Sequence, residues 1–188
     1  MIAHVTVIFN RHITLSDASN VVITGGCITS CGGDGIVSYG SSKATAALLL
    51  VRKNASSGIS VLSKSFTMLS QCTVSGNVAH GVSAADANFV MKCSCVIGNN
   101  MCGCSAVSGS CAQVADSTVS ANRSDGMMHD AGNQSSTYTR VTCKNNNKSG
   151  LHLTGKSLAN AKDSLFTGNV RNGVRVEDGS TIVAERCR

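Results

Sequence analysis

The sequence predicts an all-β fold in which the chain of 188 residues winds into a parallel solenoid of about eight coils, each 22–24 residues long. Three observations predict it. A glycine followed by an apolar residue recurs at a nearly constant interval. An asparagine stands four residues before most of these glycines. Apolar and polar residues alternate in short runs on either side.

The recurring glycine sets the period of the repeat. Successive gaps are 23, 23, 22, 23, 24 and 23 residues, and His12 extends the series one step back. The glycines are Gly35, Gly58, Gly81, Gly103, Gly126, Gly150 and Gly173. A unit of this length cannot bury its own apolar face, but stacked units can, which favours a solenoid.

Apolar residues fall into columns when the units are aligned. One column follows the glycine directly: Ile13, Ile36, Ile59, Val82, Cys104, Met127, Leu151 and Val174. Another lies about sixteen residues after it: Ile28, Val51, Val74, Ile97, Val119, Cys143 and Phe166. Phe66 and Phe89 share a third column and are expected to stack inside. Period-two alternation in short runs is typical of strands, and no window has the period of a helix.

The asparagines are predicted to form a structural ladder. They are Asn54, Asn77, Asn99, Asn122, Asn146 and Asn169, with Cys31 in the equivalent place of the first unit. An amide side chain both donates and accepts hydrogen bonds, so stacked asparagines can bond along the solenoid axis and satisfy backbone groups at a bend. The glycine that follows suits a positive φ or a close backbone approach.

These units, with the pattern N-x-x-x-G-[IV]-x-[VA], resemble the repeats of the pectate-lyase-like superfamily from Ile13 to Cys187. The resemblance implies a single-stranded, right-handed parallel β-helix with an interior asparagine ladder. The matching residues are structural ones, so the resemblance is specific for the fold and not for the function. Families that share such repeats include polysaccharide lyases, glycoside hydrolases, alginate epimerases and the β-helix modules of some F-box proteins.

Composition excludes several classes of protein. The chain has no proline or tryptophan and few aromatic residues, but its many β-branched residues argue against disorder. Its longest apolar run, Ala44 to Val51, is far shorter than the ~20 residues of a membrane helix. No membrane partner is therefore expected. The N-terminal sequence lacks the features of a signal peptide, and the localisation stays open.

Positive charge is concentrated towards the C-terminal end. The net charge is +6, and the segment from Arg140 to Arg188 holds nine Lys and Arg against four Asp and Glu, a net of +5. Such a bias favours an acidic polysaccharide or an acidic protein surface as the partner, and an ordinary solvated surface is the alternative. A nucleic acid is not the expected partner.

Candidate catalytic residues are few. No two adjacent coils stack carboxylates, so neither a calcium site, another metal nor a cofactor is predicted. The best cluster is Asp125, His129 and Asp130 in "SDGMMHD". It is similar in part to the acidic-plus-histidine motif of alginate epimerases, but it lacks the aromatic residue and the D-P-H order. His129 belongs to a column of Leu, Val and Ala, so an inward orientation is the alternative. His152 and Arg175, predicted to project outward beside it, are the binding candidates.

Two further patterns are interpreted as structural. Asp116, Arg140, Asp163 and Arg186 occupy successive coils and predict a ladder of alternating charge. The cysteines include a C-x-C…C-x-C series, yet Cys95 and Cys104 fall in predicted interior columns, and Cys72 and Cys187 share the column of Cys95. Interior packing is therefore favoured over zinc binding, while a Cys72–Cys95 disulfide stays open.

Two functions remain after this survey. The first is a β-helix module that binds carbohydrate or another anionic polymer without a complete catalytic site. The second is a polysaccharide lyase or epimerase with its site around Asp125, His129 and Asp130. Residues 1–188 are predicted to be a single β-helix domain. Because neither end shows the atypical capping segment of a solenoid, we expect it to be part of a longer solenoid or to associate end to end.

Overall fold

The computed structural model describes the backbone of residues 2–8 and all of residues 12–132 and 134–188. In these residues the chain forms short strands separated by bends, with no helix. The strands are β1 Ile2–Ile8, β2 Ile13–Leu15, β3 Asn20–Thr29, β4 Ile36–Ser38, β5 Lys43–Arg52, β6 Ile59–Leu62, β7 Phe66–Ser70, β8 Thr73–Ser75, β9 Val82–Ala85, β10 Asn88–Lys92, β11 Cys95–Ile97, β12 Cys104–Val107, β13 Cys111–Ala115, β14 Thr118–Ser120, β15 Met127–Asp130, β16 Ser135–Thr139, β17 Thr142–Lys144, β18 Leu151–Leu153, β19 Leu158–Lys162, β20 Leu165–Thr167, β21 Val174–Val176 and β22 Thr181–Glu185.

The strands stack into a right-handed parallel β-solenoid with three faces. The first face is an eight-stranded sheet in the order β2-β4-β6-β9-β12-β15-β18-β21. The second face contains β7, β10, β13, β16, β19 and β22, and the third contains β8, β11, β14, β17 and β20. The long strand β5 joins these two faces, because it pairs with both β7 and β8. The predicted fold is confirmed, with about seven turns in place of the expected eight.

Small and β-branched side chains fill the core. The buried set is mostly Val, Ile, Leu, Ala and Cys, and Tyr138 and Phe89 are the largest fully buried side chains among the described residues. Each interior residue sits on its counterpart one coil away at the ~4.8 Å spacing of paired strands. The core is therefore a set of stacked rows, which explains why a fixed period is visible in the sequence.

The asparagine ladder is confirmed. Asn77 Nδ2 donates to Asn99 Oδ1 at 2.8 Å, and the backbone N–H of Asn77 donates to the same oxygen at 3.1 Å. The same pair of bonds links Asn54 to Asn77 and continues through Asn122 and Asn146 to Asn169. The ladder begins where the backbone N–H of Cys31 donates to Asn54 Oδ1. Every asparagine before Asn169 is fully buried.

The glycine that follows each ladder asparagine is required by a close approach between coils. A Cβ on Gly103 would lie 2.3 Å from Val119 Cγ1, 2.7 Å from Asn122 Nδ2 and 2.7 Å from the Gly126 carbonyl oxygen. No side chain fits within those distances, and the φ angle of Gly103 is not in the left-handed region. The asparagine of one coil thus occupies the space that the glycine of the preceding coil leaves free.

Three interior assignments were wrong for one reason. The 22-residue coil that begins at Gly81 loses its residue in the bend between β9 and β10, which has two residues where the bend between β6 and β7 has three. Every later residue of that coil therefore moves one place and turns to the opposite side. Phe89 pairs with Thr67 and Phe66 with Asn88, so the two phenylalanines do not stack. Val96 replaces Ile97 in the core, and Cys95 aligns with Thr73, away from Cys72.

The charge ladder is confirmed as two ion pairs on one corner of the solenoid. Arg140 contacts both carboxylate oxygens of Asp116, at 2.5 and 2.9 Å. Arg186 contacts Asp163 in the same way, at 2.5 and 3.0 Å. All four residues have positive φ angles close to 52°. The pairs hold their pKa values apart in the expected sense, because the arginine lowers the pKa of each aspartate.

All ten cysteines are free thiols. Cys104 and Cys143 lie in the core as expected, and burial raises the pKa of Cys104 to about 12. Such thiols are protonated and pack as small apolar groups. No helix among the described residues is long and apolar enough to cross a membrane.

Candidate functional site

The first face changes character along the axis. The middle residues of its strands align in one row: Thr14, Val37, Ser60, Ser83, Ser105, Met128, His152 and Arg175. The early positions are apolar or carry a hydroxyl. The last two carry charge or can acquire it, and they lie beside the most polar bends of the chain.

Four polar side chains meet at this end of the first face. His152 Nδ1 lies 3.6 Å from Asp125 Oδ2, and His152 Nε2 lies 2.7 Å from Glu177 Oε1. Arg175 donates to Glu177 Oε2 from Nε at 2.9 Å and from Nη2 at 2.6 Å. We call Asp125, His152, Arg175 and Glu177 the surface cluster. Its members come from three successive coils.

The fold fixes Asp125 most firmly. It stands directly before Gly126, where its Oδ1 accepts a hydrogen bond from the backbone N–H of Ser149 at 2.8 Å. Asp34 makes the same bond to the N–H of Ser57 at 2.7 Å, four coils earlier, so this contact is part of the bend. The second oxygen of Asp125 faces His152. One carboxylate oxygen therefore holds the bend, and the other belongs to the surface cluster.

Glu177 carries a stable negative charge. Its hydrogen bond with His152, followed by those from Arg175, lowers the pKa of this carboxyl below its usual value. Its backbone N–H donates to the Leu153 carbonyl at 3.0 Å, which fixes the chain in front of His152. The imidazole thus lies between two carboxylates and is 15% exposed. It can donate to or accept from a ligand on the open side of the face.

His129 lies in the interior of the solenoid. It pairs with Ala106 and Leu153 in the neighbouring strands and is fully buried. Its Nε2 is 3.3 Å from the Ser110 carbonyl oxygen and from Ser136 Oγ, while Nδ1 has no partner among the described residues. Burial lowers its pKa, which favours the neutral imidazole. A polymer on the surface has no route to this side chain.

The predicted trio is therefore divided between the inside and the outside of the coil. Asp130 follows His129 in the strand and points outward, since successive strand residues face opposite sides. It is exposed, and its side chain lies against Gly155 in the next coil. The structure brings Asp125 together with the two predicted binding residues, His152 and Arg175, and not with His129.

Sequence analysis missed Glu177. It lies 25 residues after His152, so it does not share a column with the histidine, and a search for stacked residues passes over it. The signal that could have found it is the R-x-E pattern in and after β21. Residues two apart in a strand lie on the same side, so Arg175 and Glu177 both face the row of His152.

The described residues contain no group of three His, Cys, Asp or Glu side chains arranged to hold a metal ion. A concavity of about 410 Å³ lies elsewhere, at the last coil, where Asp163, Ser164, Leu165, Arg186 and Arg188 line it. The surface cluster itself lies on an open face, as suits a long ligand better than a small enclosed one.

The family model described as "Right handed beta helix region" matches residues 2–93 and 49–188, which together span nearly the whole chain. The chain belongs to this family. Membership of the right-handed β-helix family agrees with the asparagine ladder and the register described above. A comparison with curated proteins finds no match.

Solved structures with a similar fold are alginate epimerases. The periplasmic alginate epimerase AlgG superimposes with a TM-score of 0.86 at 13% identity, over 93% of this chain and 46% of that one. The mannuronan C-5 epimerase AlgE6 A-module of Azotobacter vinelandii gives 0.68 at 14% identity, over 90% and 54%. The chain thus spans about half the length of these proteins. At such low identity the likeness shows the β-helix fold alone.

Proposed function

We propose that this chain binds an acidic polysaccharide on the outward side of its first face. The surface cluster is the observation that supports the proposal. Its carboxylates accept hydrogen bonds from sugar hydroxyls, and Arg175 has a remaining donor nitrogen for a uronate carboxylate. The alginate epimerases with a similar fold act on an acidic polysaccharide, and this supports the class of ligand.

The shape of the face suits a polymer. The rows of the first face run along the solenoid axis without a covering loop in the described residues, so an extended chain can contact several coils at once. Each contact is exposed and weak, and affinity then comes from their number. A flat face without exposed aromatic side chains beside the surface cluster favours charge and hydrogen bonding over ring stacking.

Binding is tested by calorimetric titration with oligogalacturonate, oligomannuronate and a neutral oligosaccharide of equal length. We expect the two acidic oligomers to bind and the neutral one not to bind. Arg175→Gln should weaken binding about 3- to 10-fold, the range that a charge-assisted hydrogen bond on a partly exposed group supplies.

Arg52→Gln is the matched control, because Arg52 is exposed and belongs to the part of β5 that pairs with the third face. A loss of affinity as large in Arg52→Gln as in Arg175→Gln would mean that net charge, and not the surface cluster, attracts the polymer. Absence of binding to both acidic oligomers would contradict the proposal itself.

A second function, proton transfer on a uronate, is favoured by one observation. His152 is flanked by Asp125 and Glu177, an arrangement that orients an imidazole as a base. Abstraction of the proton next to a carboxylate breaks a C–H bond and leaves a carbanion, which an arginine on the carboxylate stabilises. Return of a proton to the opposite side inverts that carbon, and loss of the neighbouring glycosidic oxygen cleaves the chain.

This second function is tested by incubating alginate and pectin with the protein in deuterated water, with and without calcium. Deuterium incorporation reports epimerisation, and an unsaturated product reports cleavage. Loss of activity in His152→Gln and Asp125→Asn, with activity kept in His129→Leu, would support the surface cluster as the site. The reverse pattern in folded variants would support His129, and inactivity on all substrates would leave binding alone.

A further inference from the structure

We propose that Arg123, Lys148 and Arg171 form a carboxylate-binding strip that aligns an acidic polysaccharide along the solenoid axis beside the surface cluster. We call these three residues the basic strip. The inference rests on the function proposed above and specifies where the repeating carboxylates of the polymer would lie.

The basic strip follows the stacking of the coils. The backbone N–H of Lys148 donates to the Ser124 carbonyl at 3.1 Å, and that of Arg171 donates to the Lys148 carbonyl at 3.0 Å. Lys148 and Arg171 are therefore in register, one coil apart, at the ~4.8 Å spacing of stacked strands. Arg123 precedes Ser124 and adds a third cation at the next coil. Their direction is that of the axis.

The cations of the basic strip are free to bind a ligand. All three are exposed, and within the described residues none makes an ion pair within 4 Å. Other basic residues in the C-terminal half are neutralised, as in Arg140 with Asp116 and Arg186 with Asp163. The solenoid thus pairs its cations on one corner and leaves them unpaired on another.

The basic strip borders the surface cluster. Ser124, Lys148 and Arg171 directly precede Asp125, Ser149 and Asn172, which form the next row towards the first face. Burial raises the pKa of Cys102, Asp125 acts in the same sense, and the Lys148 ammonium opposes both. Lys148 therefore extends towards the side of the bend that carries Asp125, and one ligand can contact both regions.

The mixed charge of this region favours a polysaccharide over a nucleic acid. Asp125 and Glu177 beside the basic strip would repel the continuous phosphate backbone of DNA or RNA, whereas sugar hydroxyls can donate to them. No tryptophan is present in the chain, and no exposed phenylalanine or tyrosine lies near these coils to stack on bases. Spaced carboxylates and hydroxyls match a uronic-acid polymer better.

The test is a calorimetric titration of oligogalacturonate into the full chain, the double variant Lys148→Gln/Arg171→Gln, and the control Lys144→Gln. Lys144 is an exposed and unpaired cation of the same coil, but it lies on the third face. We expect the double variant to bind about 2- to 25-fold more weakly, the range that two exposed ion pairs supply, with a shallower dependence on salt. Lys144→Gln should bind as the parent chain does.

The outcomes separate this inference from the function on which it rests. Equal affinity in the double variant and in Lys144→Gln, with binding by the parent chain, would overturn the basic strip alone. No binding by the parent chain would overturn both proposals. Tighter binding of a single-stranded oligonucleotide than of oligogalacturonate, with loss in the double variant, would assign the strip to a nucleic acid instead. Unchanged thermal unfolding of each variant confirms that the fold is intact.

Discussion

At the scale of single residues, the tightest constraint is the contact between a glycine and the ladder asparagine of the next coil. Gly103→Ala should destabilise the fold by about 1–3 kcal/mol, the usual cost of forcing an extra methyl group into a packed core. The measurement is the free energy of unfolding from urea titration. Gly32→Ala is the control, because a Cβ there meets nothing within 4 Å. Similar losses in both variants would contradict the close-approach explanation.

His129 gives a prediction about pH. Its pKa is lowered in the folded state by burial, so below about pH 6.5 the unfolded chain takes up a proton that the folded chain does not. The folded state should therefore lose up to about 1.4 kcal/mol per pH unit from this residue as the pH falls, and no loss from it is expected at higher pH.

His129→Leu should remove that part of the pH dependence. Leucine already occupies the next position of the same row, as Leu153, so the replacement suits the core. The comparison is the stability of the two chains between pH 7.5 and pH 5. A parallel decline in both would show that His129 does not remain neutral in the core.

At the scale of elements, the asparagine ladder satisfies buried backbone groups at one bend of every coil. Asn99→Ala should cost about 1–3 kcal/mol or more, because it leaves the N–H of Asn77 and the Nδ2 of Asn77 without their acceptor. Asn100→Ala is the matched control, since Asn100 is the exposed neighbour and uses only its backbone to bond to Asn77. Equal unfolding free energies for the two variants would mean that the ladder is not stabilising.

The sequence predicted these elements well because rows of the solenoid repeat identical contacts. The ladder asparagines, the glycines and the charged corner residues each recur at coil spacing, so each row is visible as a column of letters. Position within a coil was lost only where a bend changed length, after Ala85, because one missing residue reverses the side of every later residue. Nothing in a fixed-period alignment marks which bend is shorter.

The surface cluster was predictable only in part for a related reason. His152 and Arg175 share a row and were found as neighbours, whereas Asp125 and Glu177 reach His152 diagonally across rows. A diagonal contact depends on side-chain direction and length, which columns do not contain. The inward orientation of His129, in contrast, was already indicated by the apolar residues of its row.

At the scale of the whole molecule, we propose that this 188-residue solenoid is a single domain that continues into a longer one or associates end to end. The strands of its last coil, β21 and β22, each pair on one side with a described strand, and Val176 and Val183 are exposed there. Open strand edges favour pairing with another chain. Size-exclusion chromatography with light scattering should show concentration-dependent association, and replacing both valines with lysine should reduce it. A stable monomer at all concentrations would count against association.

The central claim is that the surface cluster contacts an acidic polysaccharide, and histidine NMR tests it most directly. The imidazole of His152 lies in the surface cluster, whereas His129 is buried and His80 belongs to an earlier coil, so each ring reports a different place. On titration with oligogalacturonate, we predict that the ring signals of His152 shift in proportion to bound ligand while those of His80 and His129 do not. Saturable binding that leaves the His152 signals unchanged would contradict the account.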